Sequence, residues 1–200
     1  MARRIRADSL RSAVTALAQT CMGDMTHTQQ VTMLALQLFD GLGDLHRLGS
    51  AERDLLEYAA LLHDIGWVRG WRGHHKSSLE MIVDNLLLPL DGKTRLIVGS
   101  IARYHRKALP SKKHDHYAAL EETEQLLVCK LAGLLRVADG LDRTHENRVR
   151  GVRCLIDQDE VLLRCSVNGP APEEEKAAVE KADLFTQIYR KKVTIRMVTG

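Results

Sequence analysis

From Asp8 to about Asp142 the apolar residues recur at three- and four-residue spacing, the period of amphipathic helices. Strand-like alternation begins only after Arg148. A first helix is expected over residues 9–20, with Leu10, Ala13, Val14 and Leu17 on one face. A second, over 25–42, carries Val31, Leu34, Ala35 and Leu38, and His27 lies four residues before Val31 on that same face. A third begins after Ser50, a good N-cap residue, and shows Leu55, Ala59 and Leu62 as its stripe. Gly66 reads as its stop, which leaves His63 and Asp64 in the last turn. A fourth helix spans 75–87, before Pro89. A fifth follows Asp91, ends before Pro110 and aligns Ile97, Ile101 and His105. The sixth, over 118–141, aligns Leu127, Leu131, Leu135 and Asp139.

The tail has a different period. Val152, Cys154 and Ile156 alternate with Arg153, Leu155 and Asp157, and Val161, Leu163, Cys165 and Val167 form a second alternating run, so a hairpin is expected. A turn centred on Asp159 and Glu160 sets Cys154 opposite Cys165, as two buried thiols. A helix over 173–185 and a strand over 192–198 complete the pattern. The predicted architecture is mainly α: a helical bundle over residues 1–147, followed by a small β-β-α-β appendage over 148–200.

Composition narrows the function classes. Of 200 residues, 44% are hydrophobic and 28% charged, values of an ordinary globular chain rather than a disordered or fibrous one. Aromatics at 4% argue against a base-stacking nucleic-acid platform, and a net charge of +3 argues against a nucleic-acid duplex as partner. No apolar run approaches the ~20 residues of a membrane helix. The basic start, Ala2-Arg3-Arg4-Ile5-Arg6, lacks the apolar core of a secretory signal. The four cysteines form no C-x-x-C pair, which argues against a cysteine zinc site or disulfide scaffold and for a cytoplasmic setting.

The nine histidines change the picture. His27, the His63-Asp64 pair, His75, His105 and Asp139 are polar residues stranded on apolar faces or at helix ends, each from a different helix. A lone histidine of this kind is more often a satisfied core residue than a ligand. Several together are costly to bury unless they converge on something. A divalent transition metal meets that need, since imidazole and carboxylate suit Mn, Fe, Co or Zn. His46, His114, His116 and His145 read as surface residues.

In the order His27, His63-Asp64, His75, His105, Asp139, the chain resembles the HD-domain metal-dependent phosphohydrolases. It is most similar to the C-terminal half of the exopolyphosphatase and guanosine-pentaphosphate phosphatase family. The segments that carry this are Asp24-x-x-His27, Leu61-Leu62-His63-Asp64-Ile65-Gly66, Gly73-His74-His75-Lys76-Ser77-Ser78, Ala102-Arg103-Tyr104-His105-Arg106-Lys107 and Leu135-Arg136-Val137-Ala138-Asp139. The acidic pair that follows HD in stringent-response hydrolases is replaced here by Ile65, Gly66, Trp67 and Val68. Where the cyclic-dinucleotide phosphodiesterases carry a lysine after HD-x-G and a later His-His pair, this chain has Trp67 and a single His105 preceded by Tyr104.

The resemblance implies hydrolysis of a nucleotide or another small phosphate compound by metal-activated water, with Asp64 and His63 central. It implies a first ion held by His27, His63, Asp64 and Asp139, and a second completed by His75 and His105 with Asp64 bridging. The family pattern G-x-H-x-x-S selects His75 as ligand and turns His74 elsewhere. Arg103, Arg106, Lys107 and Arg136 flank these ligands and are the expected phosphate contacts. The competing reading is a regulatory module that binds polyphosphate or a nucleotide without turnover. The tail offers a pairing surface, so a homodimer is one expected assembly.

Overall fold

The computed structural model describes residues 2–199, with side chains from Ser9 onward. Helix α1 (Ala2–Met22) leads to α2 (Thr26–Gly41), whose His27, Val31, Leu34, Ala35 and Leu38 are buried along one stripe. Asp24 starts α2 by accepting from the Thr26 N–H at 2.9 Å and the Thr26 hydroxyl at 2.6 Å. A single turn, α3 (Gly43–His46), precedes α4 (Ser50–Leu62). Gly49, not Ser50, is the N-cap residue of α4, and its N–H donates to Glu52 at 2.8 Å. His46, expected at the surface, is buried: one ring nitrogen bonds the Phe39 carbonyl and the other accepts from the Leu48 N–H. It closes the α2–α4 connection from inside.

A 3-10 turn (Ile65–Arg69) follows the His63-Asp64 pair. Helix α5 (His74–Val83) is shorter than its hydrophobic pattern suggested. The Asn85 side chain accepts from the Leu87 N–H in a local turn, leaving Leu86 and Leu87 exposed. Helix α6 (Gly92–Arg103), capped by Asp91, also stops early, because Tyr104 and His105 turn away and Lys107 takes a left-handed φ of 62°. After the single turn α7 (Asp115–Ala118), Glu121 and Glu124 form the capping box of α8 (Glu122–Gly140). Helix α8 is the axis of the molecule and packs against α2, α6, α9 and α10.

The tail forms β1 (Val149–Ile156), β2 (Glu160–Val167), α9 (Pro172–Lys181), α10 (Asp183–Tyr189) and β3 (Lys192–Thr199). The sheet order is β1-β2-β3, with β1 antiparallel and β3 parallel to the central β2. The hairpin turn is centred one residue earlier than expected, closed by the Asp157 N–H on the Glu160 carbonyl at 2.9 Å. Cys154 therefore faces Leu163 and Cys165 faces Val152, and all four cysteines are free. The expected single helix is two, broken at Ala182, because Asp183 accepts from the Leu184 N–H and from Arg136.

The sheet lies on the bundle. Leu163 and Val193 meet Leu38, Leu42, Leu134 and Val137 around one small internal gap. The tail helices come closer still. A Cβ at Gly140 would stand 2.6 Å from the Ala178 Cα, and one at Gly133, two turns earlier, 3.4 Å from the Phe185 Cα. Two glycines on one face of α8 thus seat α9 and α10 directly against its backbone. This contact sets where the end of α9 falls relative to the end of α8.

Candidate metal centre

The polar residues that interrupt the apolar stripes lie at helix ends, and the packing brings those ends together. His27 is in the first turn of α2, His63 and Asp64 follow α4, His74 opens α5, His105 lies just past α6, and Asp139 closes α8. Asp64 is the centre. Its Oδ2 lies 3.5 Å from His63 Nε2 and 3.8 Å from His27 Nε2. Its Oδ1 lies 3.1 Å from His74 Nε2 and 3.5 Å from His105 Nε2. Asp139 Oδ1 stands 3.5 Å from His27 Nε2. Two groups of buried side chains have the spacing of a metal site: His27, His63 and Asp64, and Asp64, His74 and His105.

The outward nitrogens show why the inner ones are ligand-ready. Nδ1 of His63 donates to the Ala60 carbonyl at 2.7 Å, Nδ1 of His105 to Ala102 at 2.7 Å, and Nδ1 of His74 to Trp71 at 2.8 Å. His27 Nδ1 bonds the fully buried Asp142 carboxylate at 2.8 Å. A proton on each Nδ1 directs the Nε2 lone pair inward, as metal-ligating imidazoles require. An ion at the cluster would meet four Nε2 lone pairs around one carboxylate. Such a set of acceptors needs a cation, and His27 Nε2, His63 Nε2 and Asp64 Oδ1 are buried without a hydrogen-bond partner. The residues fit a divalent ion.

The electrostatics agree. Burial works against the Asp64 charge, yet the surrounding imidazoles, His63 foremost, hold its carboxyl well below the usual range. Burial likewise opposes the Asp139 charge, and the Lys181 ammonium and the His27 hydrogen bond outweigh it, so its carboxyl lies well below the usual range. His105 is pushed down to about 3 by burial, so its ring is neutral. For His27, burial lowers proton affinity, but Asp139 and Asp142 outweigh it and raise the pKa to about 9. The carboxylates that hold this proton are those that would neutralise a metal cation.

Above the cluster opens a cleft of about 410 Å³. Asp64, His105 and Asp139 form its floor, and Arg106, Lys107, Arg143 and Lys181 bring positive charge. Trp67, Trp71 and His145 form its walls. His145 is exposed, as expected, and its ring stacks on His27 at 3.7 Å and 2°.

The structure departs from the sequence reading at three ligand-region residues. His74, not His75, faces Asp64. Residues 74 and 75 point about 100° apart on a helix, so only one can face in. The phase is set by Ser78, one turn after His74, whose hydroxyl accepts from the Gly66 N–H at 2.9 Å. That Ser78 and Ile82 continue a buried stripe from His74 was the local signal that could have identified it. His75 is buried with Nδ1 unpartnered, in a smaller adjoining hollow with Arg72 and Gly73. Arg136, expected on phosphate, is a buried strut: both its ends grip Asp183 at 2.8 Å and it donates to the Tyr104 carbonyl at 3.0 Å. Arg103 lies buried over the Tyr104 ring, away from the cleft lining. Arg106 and Lys107 do line the cleft.

Asp142 and Lys181 were missed, because neither carries a local signal. Asp142 is the more consequential. It accepts from His27 Nδ1 and from the Asn147 N–H, so it sets the tautomer of His27 and the loop beyond it. Asp142→Asn is expected to weaken metal binding about 10- to 100-fold, the usual cost of losing such an outer partner, as read by metal titration.

The helical bundle thus gathers at one end, beneath a cationic cleft, a histidine–aspartate cluster with the spacing to hold a metal ion. Residues 10–186 match the family model for Ppx/GppA phosphatase, domain III, and the chain belongs to that family. This agrees with the kinship expected from the Gly73–Ser78 and Ala102–Lys107 segments. No helix among the described residues is long and apolar enough to cross a membrane.

Proposed function

We infer that the chain is an HD-type metal-dependent phosphohydrolase acting on a small phosphate ester or anhydride. The observation that carries this reading is the convergence of four inward imidazole Nε2 atoms on the two oxygens of Asp64. Two ions suit the arrangement. His27, His63, Asp64 and Asp139 would hold one, Asp64, His74 and His105 the other, with Asp64 shared. Imidazole and carboxylate donors fit Mn, Fe, Co or Zn. Such ions, when bound, lower the pKa of water and neutralise phosphoryl charge.

The chain's own residues do the rest. Arg106, Lys107 and Arg143 line the cleft where phosphate oxygens would lie and neutralise their charge. The left-handed conformation of Lys107 turns the chain at the cleft wall, next to Arg106. The Trp67 and His145 rings cover His74 and His27 and shield them from bulk water. The free cysteines fit a cytoplasmic setting, which belongs to the same reading.

The test combines elemental analysis with a hydrolysis screen over nucleotides, tripolyphosphate and an aryl phosphate, each with Mn, Co and Zn. Phosphate release that is abolished by chelation and restored by one of these ions is the expected result. A protein that binds no first-row metal and is stimulated by none overturns the reading. Metal and phosphate binding without turnover would identify a binding module instead.

A further inference from the structure

We propose that Lys181, supplied by the tail helix α9, is a phosphate-binding residue of the cleft that also positions Asp139. The inference rests on the metal-site reading above and extends it to a residue outside the histidine–aspartate set.

Lys181 is the last residue of α9 and lines the cleft over Asp64 and Asp139. Its ammonium is hydrogen-bonded to Asp139 Oδ2, while Asp139 Oδ1 faces His27. The two carboxylate oxygens are thus divided, one toward the imidazole cluster and the other on the lysine. Asp139 can serve an ion through Oδ1 without releasing Lys181. An ammonium has three donors, and Asp139 is the partner of one. Its side chain is 23% exposed, and that exposure faces the cleft. The remaining donors are therefore available to a tetrahedral phosphate beside the floor carboxylates.

The fold holds this lysine in place from three points. Gly140 lets Ala178 sit against the end of α8, three residues before Lys181 and next to Asp139. The buried Glu174, at the start of α9, accepts from the N–H and hydroxyl of Thr144 at 3.1 and 2.5 Å. That contact ties α9 to the loop carrying Arg143 and His145. Arg136 grips Asp183 just beyond the helix. A helix docked by glycine contact, a buried carboxylate and a bidentate guanidinium presents its last residue, Lys181, to the cluster. The tail is part of the site.

The test measures binding apart from turnover. Inorganic phosphate is titrated calorimetrically into the Mn-loaded 200-residue chain, and metal stoichiometry is measured in parallel. Lys181→Met is expected to weaken phosphate binding at least tenfold with the metal stoichiometry unchanged, and Lys181→Arg to recover part of the loss. Lys176→Met, on the exposed side of the same helix, is expected to bind phosphate as the wild type does. Unchanged phosphate affinity in Lys181→Met overturns the proposal. So does loss of the metal together with phosphate, since the lysine would then act only in building the ion site. Wild-type protein that binds metal and phosphate but hydrolyses nothing contradicts the hydrolase reading and leaves the role of Lys181 standing.

Discussion

Asp64→Asn is expected to remove metal binding and hydrolysis together while the bundle stays folded. The substitution keeps the shape of the side chain but replaces a charged acceptor by a neutral amide. Each oxygen of Asp64 faces two imidazole Nε2 atoms, so whichever way the amide turns, one half of the cluster has an NH2 group where it had an oxygen able to hold a cation. Asp64 is also the only member common to both metal-binding groups among the described residues. No single change elsewhere strikes both. The rate should fall on the order of a thousandfold or more, about 4 kcal/mol of transition-state stabilisation. Metal content and phosphate release report the loss, and circular dichroism reports the fold. Full metal occupancy in the variant would show that Asp64 is not the shared ligand.

Gly66→Ala should produce the largest loss of stability from one methyl group. The added Cβ would lie 2.1 Å from the His74 carbonyl oxygen, 2.6 Å from the Ser78 nitrogen and 2.9 Å from the Ser77 Cβ. Two of these are backbone atoms of α5 and cannot rotate away. Relief requires moving the start of α5 away from the turn after Asp64, which breaks the Gly66–Ser78 hydrogen bond and withdraws His74. A cost of about 3 kcal/mol or more is expected for overpacking at this depth. That corresponds to a drop of roughly 6–12 °C in Tm for a chain of this size. Gly43→Ala is the control, since a Cβ there meets nothing within 4 Å. Thermal unfolding of both proteins reads the difference, and equal melting would remove the close approach as an explanation for Gly66.

Gly66 also shows how a sequence reading can place a residue correctly and misjudge its role. A glycine after His63-Asp64 looks like a helix stop, and α4 does end nearby at Leu62. The reason for glycine is instead the approach of another helix, which no local pattern announces. His74 and His75 carry the same lesson. Each is a histidine in a first helical turn, and the choice between them depends on helix phase, which is set by the Gly66–Ser78 contact.

Periodicity was enough for the bundle, the late change to strands, and the positions of His27, His63, Asp64, His105 and Asp139. A polar residue on an apolar stripe, or at the end of one, is a local fact, visible from its own three or four neighbours. What periodicity describes is a face relative to the helix's own axis. It does not say which other helix meets that face, or at what distance. Arg136 therefore looked like a phosphate contact until Asp183, 47 residues away, was found holding it. Asp142 and Lys181 carried no signal, because their partners, His27 and Asp139, lie 115 and 42 residues away in the chain. The close approach of α10 at Gly133 and of α9 at Gly140 brings Asp183 and Lys181 to their partners, and the approach of α5 at Gly66 brings in His74. The chain's pattern thus specified which polar groups must be buried, and the tertiary packing decided which of them meet, because hydrophobic burial is satisfied by any apolar neighbour whereas a ligand set requires particular atoms within a few ångströms.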